Sequence, residues 1–149
     1  MQSQSSASSI PPSALQALAG SLSLDQLRAL DGFFAASQDC VKLLTSDGVI
    51  LNINPPGLDL LELEETQDVI GQSWWSIWPD SAHAAMQDAV GCGAKGASMR
   101  FQALRETRRG NDRKWDVSLS PIFDTGGSVA ALLVVSQDIT ANLSGAPKT

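Results

Sequence analysis

Tyrosine is absent from this chain, histidine occurs once and cysteine twice. Each shortage removes a class of function. Cys40 and Cys92 are too few and too far apart for a disulfide framework, a metal knuckle or a redox pair. Each reads instead as a small apolar residue at or near the core. A single histidine, His83, cannot build a metal cluster without cysteines and carboxylates gathered around it. No serine stands in a nucleophile elbow for that histidine to activate. Gly91, Gly93 and Gly96 follow a helical stretch instead of opening one after a strand, so they form no phosphate cradle. The expectation is a protein without enzymatic activity. Long apolar runs are missing too: none approaches the roughly 18 residues that span a bilayer. No basic segment leading into an apolar run marks a secretory leader. A cytoplasmic protein with no membrane association is expected.

Basic residues are scarce as well. Ten Lys and Arg stand against sixteen Asp and Glu, a net charge of −6. That balance argues against direct nucleic-acid binding, which depends on neutralising phosphates. Most of the basic residues, Arg100, Arg105, Arg108, Arg109, Arg113 and Lys114, fall in one short stretch. Glu62, Glu64, Glu65 and Asp68 form an acidic counterpart. The pattern reads as a solvated basic hairpin opposite a solvated acidic helix. What the chain has in quantity is apolar content, 43% over 149 residues. A domain of that size can hide roughly two-thirds of its unfolded surface without help from metal or disulfide.

Residues 1–12 are dominated by Ser, Gln and Ala and read as disordered. From Ser13 to about residue 32, Leu15, Leu18, Leu22, Leu24, Leu27 and Leu30 recur at helical steps. Gly20 suggests two short helices joined by a turn. Such a stripe must pack against its own domain or a second copy. After Cys40 the rhythm changes to strands, Val41–Leu44 and Val49–Ile53, joined by a hairpin at Asp47-Gly48. Asn54-Pro55-Pro56-Gly57 breaks the second strand. Helical pieces are expected at Leu58–Leu63 and Thr66–Val69, and Ser73 can cap a turn holding Trp74, Trp75, Ile77 and Trp78. Asp80 or Ser81 can cap a longer helix to about Val90, ended by the glycines that follow. Ala97–Thr107, Lys114–Phe123 and Ser128–Asp138 then read as an antiparallel meander. The order describes an α+β fold: one antiparallel sheet with helices on one face, plus an N-terminal helical extension.

Several segments resemble the PAS family. They are Ser37-Gln38-Asp39-Cys40-Val41-Lys42-Leu43-Leu44 with Asp47-Gly48, Ile50-Leu51-Asn52-Ile53-Asn54, Val69-Ile70-Gly71-Gln72-Ser73-Trp74, Trp115 to Ile122, and Val134 to Thr140. The resemblance implies a five-stranded sheet curved around a small interior, with residues 33–140 as the domain and 141–149 as a flexible tail. It also implies a sensory module that binds a small ligand or dimerises to regulate a histidine kinase, cyclase or transcription regulator. That output is either attached or a separate partner. A homodimer is expected through the N-terminal helix and the sheet face.

Six residues are candidates for a ligand or cofactor pocket: Trp78, His83, Met86, Phe101, Trp115 and Leu119. His83, Met86 and Val90 share one helical face. By resemblance, His83 sits where oxygen-sensing members place a haem ligand, and its plain reading is a hydrogen-bonded side chain. No thiol follows Gly71, which sets flavin-adduct chemistry aside and leaves only non-covalent flavin. The tryptophans read either as core packing or as an aromatic wall for a ligand. The alternative function is a ligand-free interaction module with a filled core, dimerising through the Leu15–Leu30 stripe.

Overall fold

Tight turns and alternating side chains build the sheet first. The computed structural model describes Leu18 and residues 20–65 and 68–141. The expected disorder at residues 1–12, the start of the helical extension, Thr66 and Gln67, and the tail from residue 142 lie outside the described residues. Strands β1 (Cys40–Leu44), β2 (Ile50–Ile53), β3 (Met99–Glu106), β4 (Asp112–Phe123) and β5 (Val129–Asp138) form one antiparallel sheet in the order β2-β1-β5-β4-β3. The β1–β2 hairpin turns at Gly48, whose φ of 92° suits glycine alone. A side chain there would also strike the ring of Trp75, 2.7 Å from where its Cβ would lie. The β3–β4–β5 meander matches expectation, with strand ends shifted by a residue or two.

Three α-helices complete the described fold: α1 (Leu24–Ala36), α2 (Pro55–Leu61) and α3 (His83–Ala94). Ser23 and Gln26 close a reciprocal capping box at the start of α1. Several sequence readings need correction here. Asn54-Pro55-Pro56-Gly57 opens a helix instead of only ending a strand. The prolines take the first turn, where no N–H is needed, and Asn54 Oδ1 accepts from Gly57 N–H at 3.0 Å. The expected acidic helix through Glu62 to Glu65 is not formed, because Glu62 adopts φ 59°, ψ 41° and terminates α2. Helix α3 runs through Gly91 and Gly93 to Ala94, and neither Asp80 nor Ser81 caps it. A 3₁₀ turn, Asp80–Ala82, leads into it instead. Gly93 is tolerated because the helix lies flat on the sheet there, and a Cβ would overlap Leu119 Cδ2. Ser73 likewise precedes a 3₁₀ turn, Trp74–Ile77, without a side-chain cap bond.

The two faces of the sheet are covered differently. Alternation sends Cys40, Lys42 and Leu44 inward under α2 and α3, and Val41 and Leu43 outward. Outside, Leu18, Leu22, Leu30 and Phe34 pack on Val41, Leu43 and Ala131. Of the described stripe, Leu18, Leu22 and Leu30 therefore find their cover in the chain's own sheet, while Leu24 stays exposed. β1 is buried along its whole length because both faces are covered. β3 lies at an edge and alternates between half-buried and exposed residues. Helix α1 also crosses the domain boundary expected at residue 33.

Candidate functional site

The register of the sheet fixes what faces the interior. Cys40 pairs with Ser136, Lys42 with Val134, Val117 with Ser136 and Phe101. Next along the strands Trp115 stands beside Ala103 and Asp138, then Arg113 beside Arg105. Trp74 and Trp78 come down from the 3₁₀ segment, edge to face with centroids 6.1 Å apart. The favourable geometry of such a pair adds about 0.5–1.5 kcal/mol beyond burial.

Polar groups in this interior are unevenly matched. Arg113 lies 3.5 Å from Asp138 and 3.9 Å from Glu62, so its charge is answered. Hydrogen bonds from Thr107 and Asn111 to Glu62, helped by Arg113 and Arg109, hold that carboxyl below the usual range. Two acidic residues are thus met from the basic hairpin, Glu62 by Arg113 and Asp68 by Arg108 at 3.8 Å, while Glu64, Glu65, Arg108 and Arg109 stay exposed to solvent. Lys42 and Arg105 have no such answer: no described carboxylate is within ion-pair distance of either. Lys42 is 2% exposed, and its Nζ donates to Cys40 Sγ at 3.1 Å. Arg105 Nε donates to the Ile77 carbonyl, and its guanidinium lies 6.0 Å from the Trp78 ring. Burial pulls the Arg105 pKa below its ordinary value, with Arg108 acting in the same direction and Cys40 opposing.

Several buried donors have no acceptor at all. The indole N–H groups of Trp74, Trp78 and Trp115, Arg105 Nη1 and Arg113 Nε are all unpartnered. A buried donor left without an acceptor costs about 1–3 kcal/mol. Beside Trp78 and Arg105 the surface opens into a cleft of about 540 Å³, lined also by Ser76, Ile77, Pro79 and Leu104, with Glu106 and Asp112 at its rim. That volume suits a small organic molecule.

The six candidate residues are partly brought together. Trp78, Met86, Trp115 and Leu119 are buried in one cluster and Phe101 packs against it, but as a close-packed core in which only Trp78 reaches the cleft. His83 stands apart: its Nε2 is 2.9 Å from the Trp78 carbonyl and 3.7 Å from Asp80. A haem axial role does not fit it. The nitrogen is committed to a backbone carbonyl, and the space a porphyrin needs is filled by Trp74, Trp115 and Leu119. Sequence reasoning missed Arg105 and Lys42. Arg105 shares its strand parity with Phe101, and Lys42 with Cys40, so alternation alone could have flagged two cations pointing inward.

A family model described as the PAS fold matches residues 34–143. Solved structures of similar shape include the PAS domain of an HTR-like protein from Haloarcula marismortui, 24% identical with a TM-score of 0.61 over 77% of this chain and 93% of that one. The LOV protein of Rhodobacter sphaeroides gives 13% identity and a TM-score of 0.69, over 83% and 72% of the two chains. The VqmA dimer of Vibrio cholerae, described as a LuxR-type receptor that binds DNA, gives 18% identity and 0.62, over 81% of this chain and 53% of that one. Among curated proteins none matches the chain.

Proposed function

We propose, from the premise that this chain belongs to the PAS family, that it is a non-catalytic sensory domain. It binds a small ligand between the sheet and the segment Trp74 to Ala94 and regulates an output module by its occupancy. The observation that carries this reading is the open cleft of about 540 Å³ between the 3₁₀ segment and β3, lined by Trp78 and Arg105, each of which also carries a buried donor without an acceptor. A core meant only to be filled would favour apolar side chains at those positions, since each orphaned donor destabilises it. The output is a histidine kinase, cyclase or transcription regulator, in the same chain or as a partner. VqmA, a DNA-binding receptor of similar fold, is an instance of the last class. Signal leaves through the outer face, where α1 rests on β1 and β5.

The assembly-module reading keeps one observation, the dense packing of Trp74 and Trp115, 0% and 1% exposed. Thermal denaturation of the full chain against a panel of small metabolites separates the two. Ligand binding predicts that at least one compound raises the Tm and shifts tryptophan emission. A uniform absence of both effects, together with a mass that doubles with concentration, would favour assembly and sink the sensory reading.

A further inference from the structure

We propose that the open edge of β3 pairs with the same edge of a second copy of this chain, antiparallel about a two-fold axis at Ala103, so that the two sheets join into one. The proposal goes beyond ligand binding and uses a surface other than the outer face under α1.

Only one edge of the sheet is covered. β2 is closed by the segment after residue 70: Gly71 N–H donates to the Ile50 carbonyl, Ile50 N–H to the Gln72 carbonyl and Trp74 N–H to the Gly48 carbonyl, at 2.8 to 2.9 Å. β3, the other edge, runs for eight residues without proline, glycine or a break in its register to β4. The ladder fixes which of its backbone groups are free. Thr107 N–H donates to the Asn111 carbonyl, and Ile139 N–H to the Lys114 carbonyl. Bonded pairs alternate in an antiparallel ladder, so Met99, Phe101, Ala103 and Arg105 exchange bonds with β4. Arg100, Gln102, Leu104 and Glu106 turn their N–H and C=O groups the other way, where no described residue bonds to them. Arg108 N–H, next in that series, donates to the Leu61 carbonyl, so the free stretch ends there. The cleft lies along this stretch, between Ser76–Pro79 and Leu104–Glu106, and leaves room beside it for another strand. Such an edge is a template for strand addition.

The charges on β3 select the occupant. Charged side chains usually protect an exposed edge, but these are complementary to a second copy. With Ala103 on the axis, Arg100 stands opposite the partner's Glu106, and Glu106 opposite the partner's Arg100. Gln102 faces the partner's Leu104, and the facing residues exchange about eight backbone hydrogen bonds. The residue on the axis meets itself at close range, and Ala103 brings neither bulk nor charge there. Moving the axis to Leu104 sets Arg100 against the partner's Arg108; moving it to Gln102 leaves Glu106 beyond the end of the facing strand. Arg100 spends Nε and Nη2 on Asp116, at 3.1 and 2.6 Å, which orients it and keeps Nη1 for a second carboxylate. Glu106 has no ion pair among the described residues. It lines the cleft with Asp112, so each cleft takes a cation from the other copy at its acidic rim.

A seam one strand wide buries little surface, so a dimer that dissociates in the micromolar range is expected. Sedimentation velocity of the full chain over a concentration series measures it. R100E and E106R each set like charges opposite one another twice, and each should weaken the dimer about tenfold or more. Mixed in equal amounts they should restore it, because the heterodimer regains both opposite-charge pairs. Q102P removes an N–H that faces the open edge and no bond to β4, so it should give a folded monomer. Far-ultraviolet circular dichroism confirms folding, and the charge mixture decides alone where Q102P does not fold. A chain that stays monomeric at its highest soluble concentration overturns the proposal. So does a dimer that R100E, E106R and Q102P leave unchanged, or a mixture no tighter than its components. None of these outcomes touches ligand binding, which the Tm and emission shifts of the wild-type chain judge separately.

Discussion

Replacing Asn54 by alanine tests how the fold ties its first strand to the helices that close the interior. Asn54 is fully buried and uses its whole amide. Oδ1 accepts from Val41 N–H at 2.9 Å and from Gly57 N–H at 3.0 Å, and Nδ2 donates to the Asp39 carbonyl at 2.9 Å. Losing the cap of α2 costs about 1 kcal/mol. Leaving the buried Val41 N–H without an acceptor adds about 1–3 kcal/mol. The expected destabilisation is therefore about 3 kcal/mol. With a urea m-value of about 2 kcal/mol per molar, the midpoint should fall by about 1.5 M. Tryptophan emission reports the transition, because Trp74 and Trp115 pass from a dry core to water. N54D is no milder control, because it sets a carboxylate oxygen against the Asp39 carbonyl in a fully buried site. A loss under about 0.5 kcal/mol in N54A would refute the assignment of Oδ1 as the central tie.

Three further outcomes follow from the same geometry. K42M should stabilise the ligand-free protein by about 1–2 kcal/mol, since it replaces an ammonium without a carboxylate partner by an apolar chain of similar volume; a lower denaturation midpoint would mean the amine is better matched than its thiol contact suggests. G91A should raise the Tm through about 0.5–1 kcal/mol of helix propensity, nothing lying within 4 Å of its added methyl, whereas G93A should lower it by overpacking against Leu119 and Leu132. A rise in both would contradict the close seating of α3 on the sheet. Glu62 has its folded pKa lowered by hydrogen bonds from Thr107 and Asn111. Its contribution is present above the unfolded value of about 4.3 and is lost as pH falls through the lower folded value. E62Q should flatten that part of the acid limb in a stability-versus-pH series, and an unchanged limb would place the acid sensitivity elsewhere.

Features set by local periodicity were legible in the sequence. Trp115, Val117 and Leu119 alternate because one face of β4 is covered, and the same parity recurs in β3. Gly48 and Gly71, with φ of 92° and 86°, stand where the chain needs a left-handed residue. What stayed hidden depended on context more than residue type. Nothing in Pro55-Pro56-Gly57 distinguishes a breaker from a first turn until Asn54 is seen accepting from Gly57 N–H. Gly91 and Gly93 look like a helix end until the tight approach to Leu119 supplies a reason for Gly93. Periodicity brought Trp78, Met86, Phe101, Trp115 and Leu119 into one interior cluster, of which only Trp78 reaches the cleft, and, applied to apolar residues only, it passed over Arg105 and Lys42, which share the parity of Phe101 and Cys40.

The position of β1 joins the interior to the outer face of the sheet, as the proposed sensory role requires. Its odd and even residues serve different layers: Cys40, Lys42 and Leu44 belong to the interior, Val41 and Leu43 to the contact with Leu30 and Phe34 of α1. A one-residue slip would exchange these sets and bury the wrong face, so β1 can move only as a tilt or small translation with its register to β5 intact. Such a motion carries Val41 and Leu43 with it, and α1 must follow or lose its packing. The start of α1 is held independently, by Gln26 Nε2 donating to the Phe123 carbonyl at 2.7 Å and Thr125 N–H donating to Ser21. With that end anchored to the β4–β5 turn and the other end resting on β1, a ligand that moved β1 would turn α1 about its N-terminus, since sliding α1 as a whole would break the Gln26 Nε2 bond to the Phe123 carbonyl.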